Sequence, residues 1–275
     1  MQNTSRKYLQ KGQSIGFVPT MGALHEGHLS LIRRARAEND IVVVSIFVNP
    51  KQFGPAEDFT AYPRDTDNDI AKVRELGIDT LFIPEASLMY PEGFATGISV
   101  GMLSGRLCGL FRAGHFMGVA TVVTKLLNLV SPTRSYFGQK DFQQTVVISR
   151  MVKDLNMNVE IVVCPTVREI DGLAMSSRNR YLTLEERTGA TVLYRTMTLV
   201  SAALHTGTAV AAGLKEMLQS ELKREPLITA IDYASLYSPE TLEELQELDG
   251  KEVLIAIAVR LGRTRLIDNL LVNLS

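Results

Sequence analysis

Two histidines three residues apart, His25 and His28, stand in the stretch Phe17-Val18-Pro19-Thr20-Met21-Gly22-Ala23-Leu24-His25-Glu26-Gly27-His28. That spacing points both imidazoles to one side of a first helical turn. The stretch begins where an apolar run, Ile15 to Val18, stops at Pro19. It ends where Leu29, Leu31, Ile32 and Ala35 recur at helical spacing. The order is therefore strand, turn, helix entrance. Gly22 and Gly27 let the backbone approach a ligand closely. A helix entrance adds unbonded N–H groups and the positive end of the helix dipole. Backbone donors for phosphate oxygens, with imidazoles for the charge that builds on a leaving group, suit polyphosphate chemistry.

Three further clusters carry polar chemistry. Asn49-Pro50-Lys51-Gln52 follows the apolar run Ile41 to Val48, at the carboxyl end of a strand where open α/β sheets place ligands. Gly138-Gln139-Lys140-Asp141-Phe142-Gln143-Gln144 follows the short strand Ser135 to Phe137 and forms a second strand-to-helix turn, with lysine as a compact cation for phosphate. Met175-Ser176-Ser177-Arg178 offers two hydroxyls and a guanidinium, which can grip a triphosphate through charge-assisted hydrogen bonds. No Ser-His-Asp or Cys-His arrangement is evident, so the chemistry rests on charge stabilisation and positioning.

The elements that must hold these groups alternate between strand and helix through residues 14–164. Unbroken β-branched runs such as Ile41 to Val48 indicate strands buried on both faces. With strands also at Thr80 to Ile83 and Asn158 to Val163, and a helix over Val119 to Val130, the fold class is α/β: a Rossmann-like parallel sheet domain. Right-handed crossovers bring such strand-end turns to one crevice. The glycine-rich connection 85–116, which contains His115, has the length of an active-site lid. Residues 1–13 are a short helix or loose lead-in. Beyond about residue 176 the texture changes. Thr183-Leu184-Glu185-Glu186 is a capping box that opens a long helix to about Leu204, and a second helix runs from Val210 to Glu225. Strands follow over Ile228 to Leu236, Val253 to Leu261 and Arg265 to Val272. The expected domains are 1–176, Rossmann-like, and 177–275, a smaller α+β domain.

The totals exclude several classes. The 275 residues are 45% hydrophobic and carry 29 basic against 30 acidic side chains, a net charge of −1. That supplies no basic field for a nucleic-acid backbone. Cys108 and Cys164 are far apart and suit two small core residues rather than a disulfide framework or zinc site. No apolar run reaches the ~18 residues of a membrane span and no signal-peptide core opens the chain, so a cytoplasmic protein without membrane partners is expected.

The wording of the His25–His28 turn resembles the HIGH motif of the adenylate-forming α/β nucleotidyltransferases, which include class I aminoacyl-tRNA synthetases. The ten residues Pro19 to His28 resemble more closely the pantothenate synthetase (pantoate–β-alanine ligase) family. Val48-Asn49-Pro50, Gln52-Phe53, Met89-Tyr90-Pro91, Gly114-His115-Phe116, Gly138 to Gln144 and Met175 to Arg178 extend that resemblance over nearly the whole chain. The resemblance implies an ATP-dependent condensation of pantoate with β-alanine through a pantoyl adenylate. It implies His28, His25, Lys140 and Arg178 as catalytic groups, with His28 donating to the leaving pyrophosphate. ATP contacts would come from Met21, Gly22, Ala23, Leu24, His25, Glu26, Gly27, His28, Gly138, Gln139, Lys140, Asp141, Val167, Met175, Ser176, Ser177 and Arg178. Gln52 and Gln144 would hold pantoate. Gln139 departs from the family's glutamate and removes one negative charge near the nucleotide. Mg²⁺ would accompany ATP; its protein ligands are unknown, the aspartates between Asp65 and Asp69 being the candidates. The resemblance also implies a homodimer. Two other readings remain: another nucleotidyltransferase of the same superfamily, and a non-enzymatic nucleotide sensor.

Overall fold

Ile15–Thr20 forms β1 because its apolar, β-branched residues are buried on both sides, as a strand inside a parallel sheet requires. The computed structural model describes residues 1–55, 57–206, 210–248 and 250–274. In chain order its elements are α1 (Gln2–Gln10), β1, α2 (Glu26–Glu38), β2 (Ile41–Ile46), α3 (Thr66–Glu75), β3 (Thr80–Phe82), α4 (Ala86–Met89) and α5 (Cys108–Phe111). They continue with α6 (His115–Val130), β4 (Arg134–Gly138), α7 (Phe142–Asp154), β5 (Glu160–Cys164), α8 (Leu184–Gly189), α9 (Val192–Leu204), α10 (Ala211–Lys223), β6 (Ile228–Tyr237), β7 (Glu252–Leu261) and β8 (Thr264–Asn273).

The chain divides into two compact units. The first comprises residues 1–105, 112–139 and 144–165; the second comprises 106–111, 140–143 and 166–275. The longest segment of the second unit starts at Thr166. Within it Val167 to Met175 folds back on itself, with the Met175 N–H on the Val167 carbonyl at 3.0 Å, and is bonded to β8.

In the first unit five parallel strands lie in the order β3-β2-β1-β4-β5. The chain winds outward from β1 to β3 and then returns to β4, so the strand order reverses between β1 and β4. Ligands of open α/β sheets bind at the carboxyl ends of the strands flanking such a switch point. Here those ends carry the His25–His28 turn and the Gly138–Gln139 turn. Between sheet and helices lies an apolar core that includes Val18, Leu24, Ile32, Val42, Val44 and Val73. Tyr136 reaches it with its hydroxyl satisfied, accepting from Asn39 at 2.7 Å and donating to Glu38 at 2.9 Å.

The second unit has a three-stranded antiparallel sheet, β6-β7-β8, with α9 and α10 contributing to its apolar core. The long helix expected from Thr183 to Leu204 is two helices. The Thr183–Glu186 capping box forms, but the N–H groups of Thr191 and Leu193 bond three residues back, which tightens and redirects the chain at Ala190. Both cysteines are buried and free. Among the described residues no helix is long and apolar enough to cross a membrane.

Candidate active site

The turn after β1 is held by side chains rather than left open. The Thr20 hydroxyl donates to the Ser45 carbonyl at 2.7 Å and accepts from the Gly22 N–H at 3.2 Å. Gly22 has φ +82, and a Cβ there would lie 3.0 Å from both the Asp69 carboxylate and Ile46, so glycine is required. Ala23 follows at φ +50. These two left-handed residues aim the N–H groups of Ala23 and Leu24 at the Asp69 carboxylate, one on each oxygen at 2.7 Å. Asp69 is only 1% exposed. One helical turn later on α3, Lys72 donates to the Leu24 carbonyl at 2.7 Å. The expectation that the N–H groups of this turn face phosphate therefore fails at Ala23 and Leu24. The protein's own carboxylate sits where an anion would, and the Leu24 side chain is in the core.

His25 caps α2 with extended backbone, and its N–H donates to His28 Nδ1 at 3.3 Å. The two rings lie 4.1 Å apart between centroids. Because Nδ1 accepts, a neutral His28 carries its proton on Nε2 and presents an N–H donor there. Glu26 pairs with Arg33 further along α2, and that hydrogen bond holds its carboxyl below the ordinary range. The Gly27 carbonyl accepts from the Ser30 hydroxyl at 2.8 Å.

Met21 links this turn to Gln52, whose Nε2 donates to the Met21 sulfur at 3.1 Å. Gln52 ends the single helical turn Pro50–Gln52, capped by Asn49. The Asn49 amide donates to Gln52 Oε1 at 3.0 Å and to the Gly118 carbonyl at 3.1 Å, while its oxygen accepts from the Tyr90 hydroxyl at 2.7 Å. Burial pushes the Tyr90 hydroxyl up to about 12, so it remains a donor at neutral pH. A Cβ on Gly118 would lie 2.2 Å from the Lys51 carbonyl oxygen, which is why α6 can press directly on this turn. His115 supports Gln52 from behind. Arg112 donates to His115 Nε2 at 3.0 Å, and since arginine can only donate, His115 Nδ1–H donates to the Gln52 carbonyl at 2.8 Å. His115 thus has a structural place in α6. Gln144 lies half-buried on α7, and Gln139 half-buried after β4.

The second unit holds the remaining expected residues. Lys140 is 3.8 Å from Asp141, and its carbonyl accepts from the Asn269 amide at 2.9 Å. Arg168 makes a two-pronged pair with Asp268, at 2.7 and 3.0 Å, and stacks 4.1 Å over the Tyr194 ring. Burial raises the Asp268 carboxyl, against the opposing pull of Arg168. After Met175, the Ser176 hydroxyl caps a short helical turn by accepting from the Arg178 N–H at 3.3 Å, and Asn179 donates to the Ala174 carbonyl at 3.1 Å. The segment that carries Ser176, Ser177 and Arg178 is therefore folded and tied at both ends.

A family model for pantoate–β-alanine ligase matches residues 1–271. The chain belongs to the pantoate–β-alanine ligase family. It is 56% identical to a pantothenate synthetase of Thermodesulfovibrio yellowstonii over 273 residues, 99% of this chain and 97% of that one. It is similar to the crystal structure of pantothenate synthetase from Thermus thermophilus, with TM-score 0.90 and 49% identity, covering 94% of this chain and 92% of that chain. A pantoate–β-alanine ligase from Francisella tularensis, in a structure complexed with β,γ-ATP and β-alanine, aligns with TM-score 0.79 at 38% identity, covering 98% of this chain and 93% of that chain.

Against the family's motifs, sequence reasoning missed what holds them: Asp69 with Lys72; Glu57, whose carboxylate accepts from Arg112 Nε at 2.9 Å; and Arg168 with Asp268 and Asn269. A signal existed in two cases. Asp69 and Lys72 are one helical turn apart, and Asp268-Asn269 interrupts the apolar run Leu266 to Val272.

Proposed function

We propose that this chain condenses (R)-pantoate with β-alanine, cleaving ATP to AMP and pyrophosphate, through a pantoyl adenylate. The pantoate carboxylate attacks the α-phosphorus and expels pyrophosphate; the amine of β-alanine then attacks the acyl carbon and expels AMP. A carboxylate is a poor acyl donor until its oxygen becomes part of a phosphate leaving group. The protein's task is then to position the reactants and to stabilise the charge that develops.

The observation that carries this reading is the His25–His28 pair. With Nδ1 fixed as an acceptor, His28 offers an Nε2–H donor, the group needed where negative charge accumulates on departing pyrophosphate. His25 orders that imidazole through its backbone N–H and ring. Lys140 and Arg178 neutralise phosphate charge. Gln52 and Gln144 hold pantoate as neutral hydrogen-bonding amides. Along the Met21–His28 turn, ATP contacts come from groups other than the N–H donors of Ala23 and Leu24.

Mg²⁺ enters with ATP as part of the substrate, since magnesium is held largely by phosphate oxygens and water. Asp69 does not fit a metal-ligand role because it is 1% exposed and both its oxygens are turned onto backbone N–H groups inside the protein. Asp65 and Asp67 are exposed near the start of α3. Among the described residues no cluster of three or more histidine, cysteine or acidic groups is placed to hold a metal ion. We assign the protein to the cytoplasm and to a homodimeric state, on the family's character.

The test is exchange of labelled pyrophosphate into ATP. Exchange with pantoate present and β-alanine absent supports adenylation before amide formation. A nucleotide sensor gives no exchange, and another nucleotidyltransferase is indifferent to pantoate. Exchange that requires β-alanine overturns the two-step order.

A further inference from the structure

The Lys140 turn and the stem of the Ser176–Arg178 segment both hang from two adjacent residues of one strand. The Asn269 amide donates to the Lys140 carbonyl at 2.9 Å. Asp268, 2% exposed, accepts the two-pronged contact from Arg168, and its Oδ1 also accepts the Asn269 N–H at 2.8 Å. Arg168 in turn donates to the Gly172 carbonyl at 3.1 Å and to the Asn269 carbonyl at 3.2 Å. It therefore braces the fold-back Val167–Met175 that leads directly into Ser176–Arg178. A chain of hydrogen bonds runs from the backbone of Lys140, through Asn269 and Asp268, to the stem of the Ser176–Arg178 segment.

This arrangement is a poor way to gain stability alone. A buried ion pair is commonly no better than apolar residues of the same volume, because desolvation offsets the attraction. The neighbours Leu266, Ile267, Leu270 and Leu271 show what β8 otherwise uses. What the polar pair adds is a fixed geometry. An apolar side chain at 269 could not bond the carbonyl of residue 140.

We propose that Asn269 and Asp268 are positioning residues for nucleotide binding, which set the place of Lys140 relative to the Ser176–Arg178 segment. This rests on the reading of Lys140 and Arg178 as phosphate-binding groups. Each acts through the groups it holds, Asn269 through the Lys140 backbone and Asp268 through Arg168.

The experiment is a double-mutant cycle on the full-length protein, read by calorimetric titration with ATP and Mg²⁺, by pantoate KM and by melting temperature. Asn269→Ala removes a donor to a partly buried carbonyl and should weaken ATP binding about tenfold, with pantoate KM changed less than about twofold. In a Lys140→Ala background the same substitution should change ATP affinity little, because residues acting through one group are non-additive. Asn269→Leu fills the amide's volume without a donor and should reproduce the loss. It carries the same test should the alanine variant fail to fold. A full additive loss on Lys140→Ala, or equal losses for ATP and pantoate, overturns the inference while leaving the role of Lys140 intact. Unchanged ATP affinity in Lys140→Ala alone overturns the reading of Lys140, and the inference with it.

Discussion

The turn after β1 and the Lys140 and Ser176–Arg178 segments of the second unit are held in place in opposite ways. In the first, α3 inserts a carboxylate, Asp69, into the bend and consumes two backbone donors. Glycine-rich turns at helix entrances commonly offer those donors to a phosphate. Here the anion is built in: Asp69 takes the N–H groups of Ala23 and Leu24 within the fold itself. In the second, the backbone is held through a carbonyl and an arginine, by a strand 100 to 129 residues away in sequence. On the function proposed above, the first serves the departing charge and the second the spacing of Lys140 and Arg178.

The comparison breaks most visibly at His28. If the turn exists to present its Nε2–H, His28→Ala should lower kcat by roughly 3–4 kcal/mol of transition-state stabilisation while ATP binding changes little. Steady-state kinetics decide it, and retention of more than about a third of wild-type turnover (~0.7 kcal/mol) would show that the donor is elsewhere. Asp69→Asn probes the same turn from behind. An amide has one acceptor oxygen, so its NH₂ group must face one of the two N–H donors. The lost bond and the opposed donors should cost about 1–3 kcal/mol of stability, seen as a lower melting temperature, and the displaced turn should lower kcat. An Asp69→Asn variant with wild-type turnover would sever the turn's rigidity from catalysis.

How much of this was legible in the sequence follows from how far each constraint reaches. Strand runs such as Ile41 to Ile46 declare themselves because burial on both faces leaves no room for polar alternation. The order β3-β2-β1-β4-β5 was not written there, since a strand's neighbours depend on crossovers rather than on its own residues. The His25–His28 turn is readable from local spacing, but the occupation of two of its backbone donors, at Ala23 and Leu24, is not, because the carboxylate that takes them lies on α3 more than forty residues on. His115 was legible only as a polar residue in a long connection; its partners, Arg112 and the Gln52 carbonyl, gave it a place in the helix. The break at Ala190 escaped because both halves are good helix formers, and only the bonding three residues back reveals the bend.

Gln52 sharpens the contrast at an intermediate size. Its amide already gives one bond at each end, to Asn49 and to Met21, which fixes its plane and leaves each end capacity for a second. Gln52→Ala and Gln144→Ala should each raise pantoate KM about tenfold, the worth of one hydrogen bond to a charged acid, with ATP affinity nearly unchanged. Calorimetric titration with ATP separates the cases. An equal loss of ATP affinity in both variants would mean that these glutamines shape the nucleotide site instead.

The smallest effect belongs to Glu57, at the far end of the relay that reaches Gln52 through Arg112 and His115. Arg112 Nε donates to the Glu57 carboxylate at 2.9 Å. Burial alone would raise that carboxyl; Arg112, with a contribution from His115, outweighs it and holds Glu57 below its ordinary value. The sign follows. Between the depressed folded value and the ordinary one near 4.3, the folded protein keeps Glu57 ionised while the unfolded chain binds a proton. The stabilisation is therefore fully present above the ordinary value and is lost as pH falls through the folded one. Glu57→Gln should destabilise the protein by about 1 kcal/mol at neutral pH, the scale of a partly exposed pair. The gap from wild type should close in acid, below about pH 4, as the wild-type carboxylate takes up its proton. Urea unfolding of both proteins from pH 7 to pH 3 measures this directly. A gap that stays constant across that range would show that Glu57 acts by shape, and that the support of Gln52 does not pass through its charge.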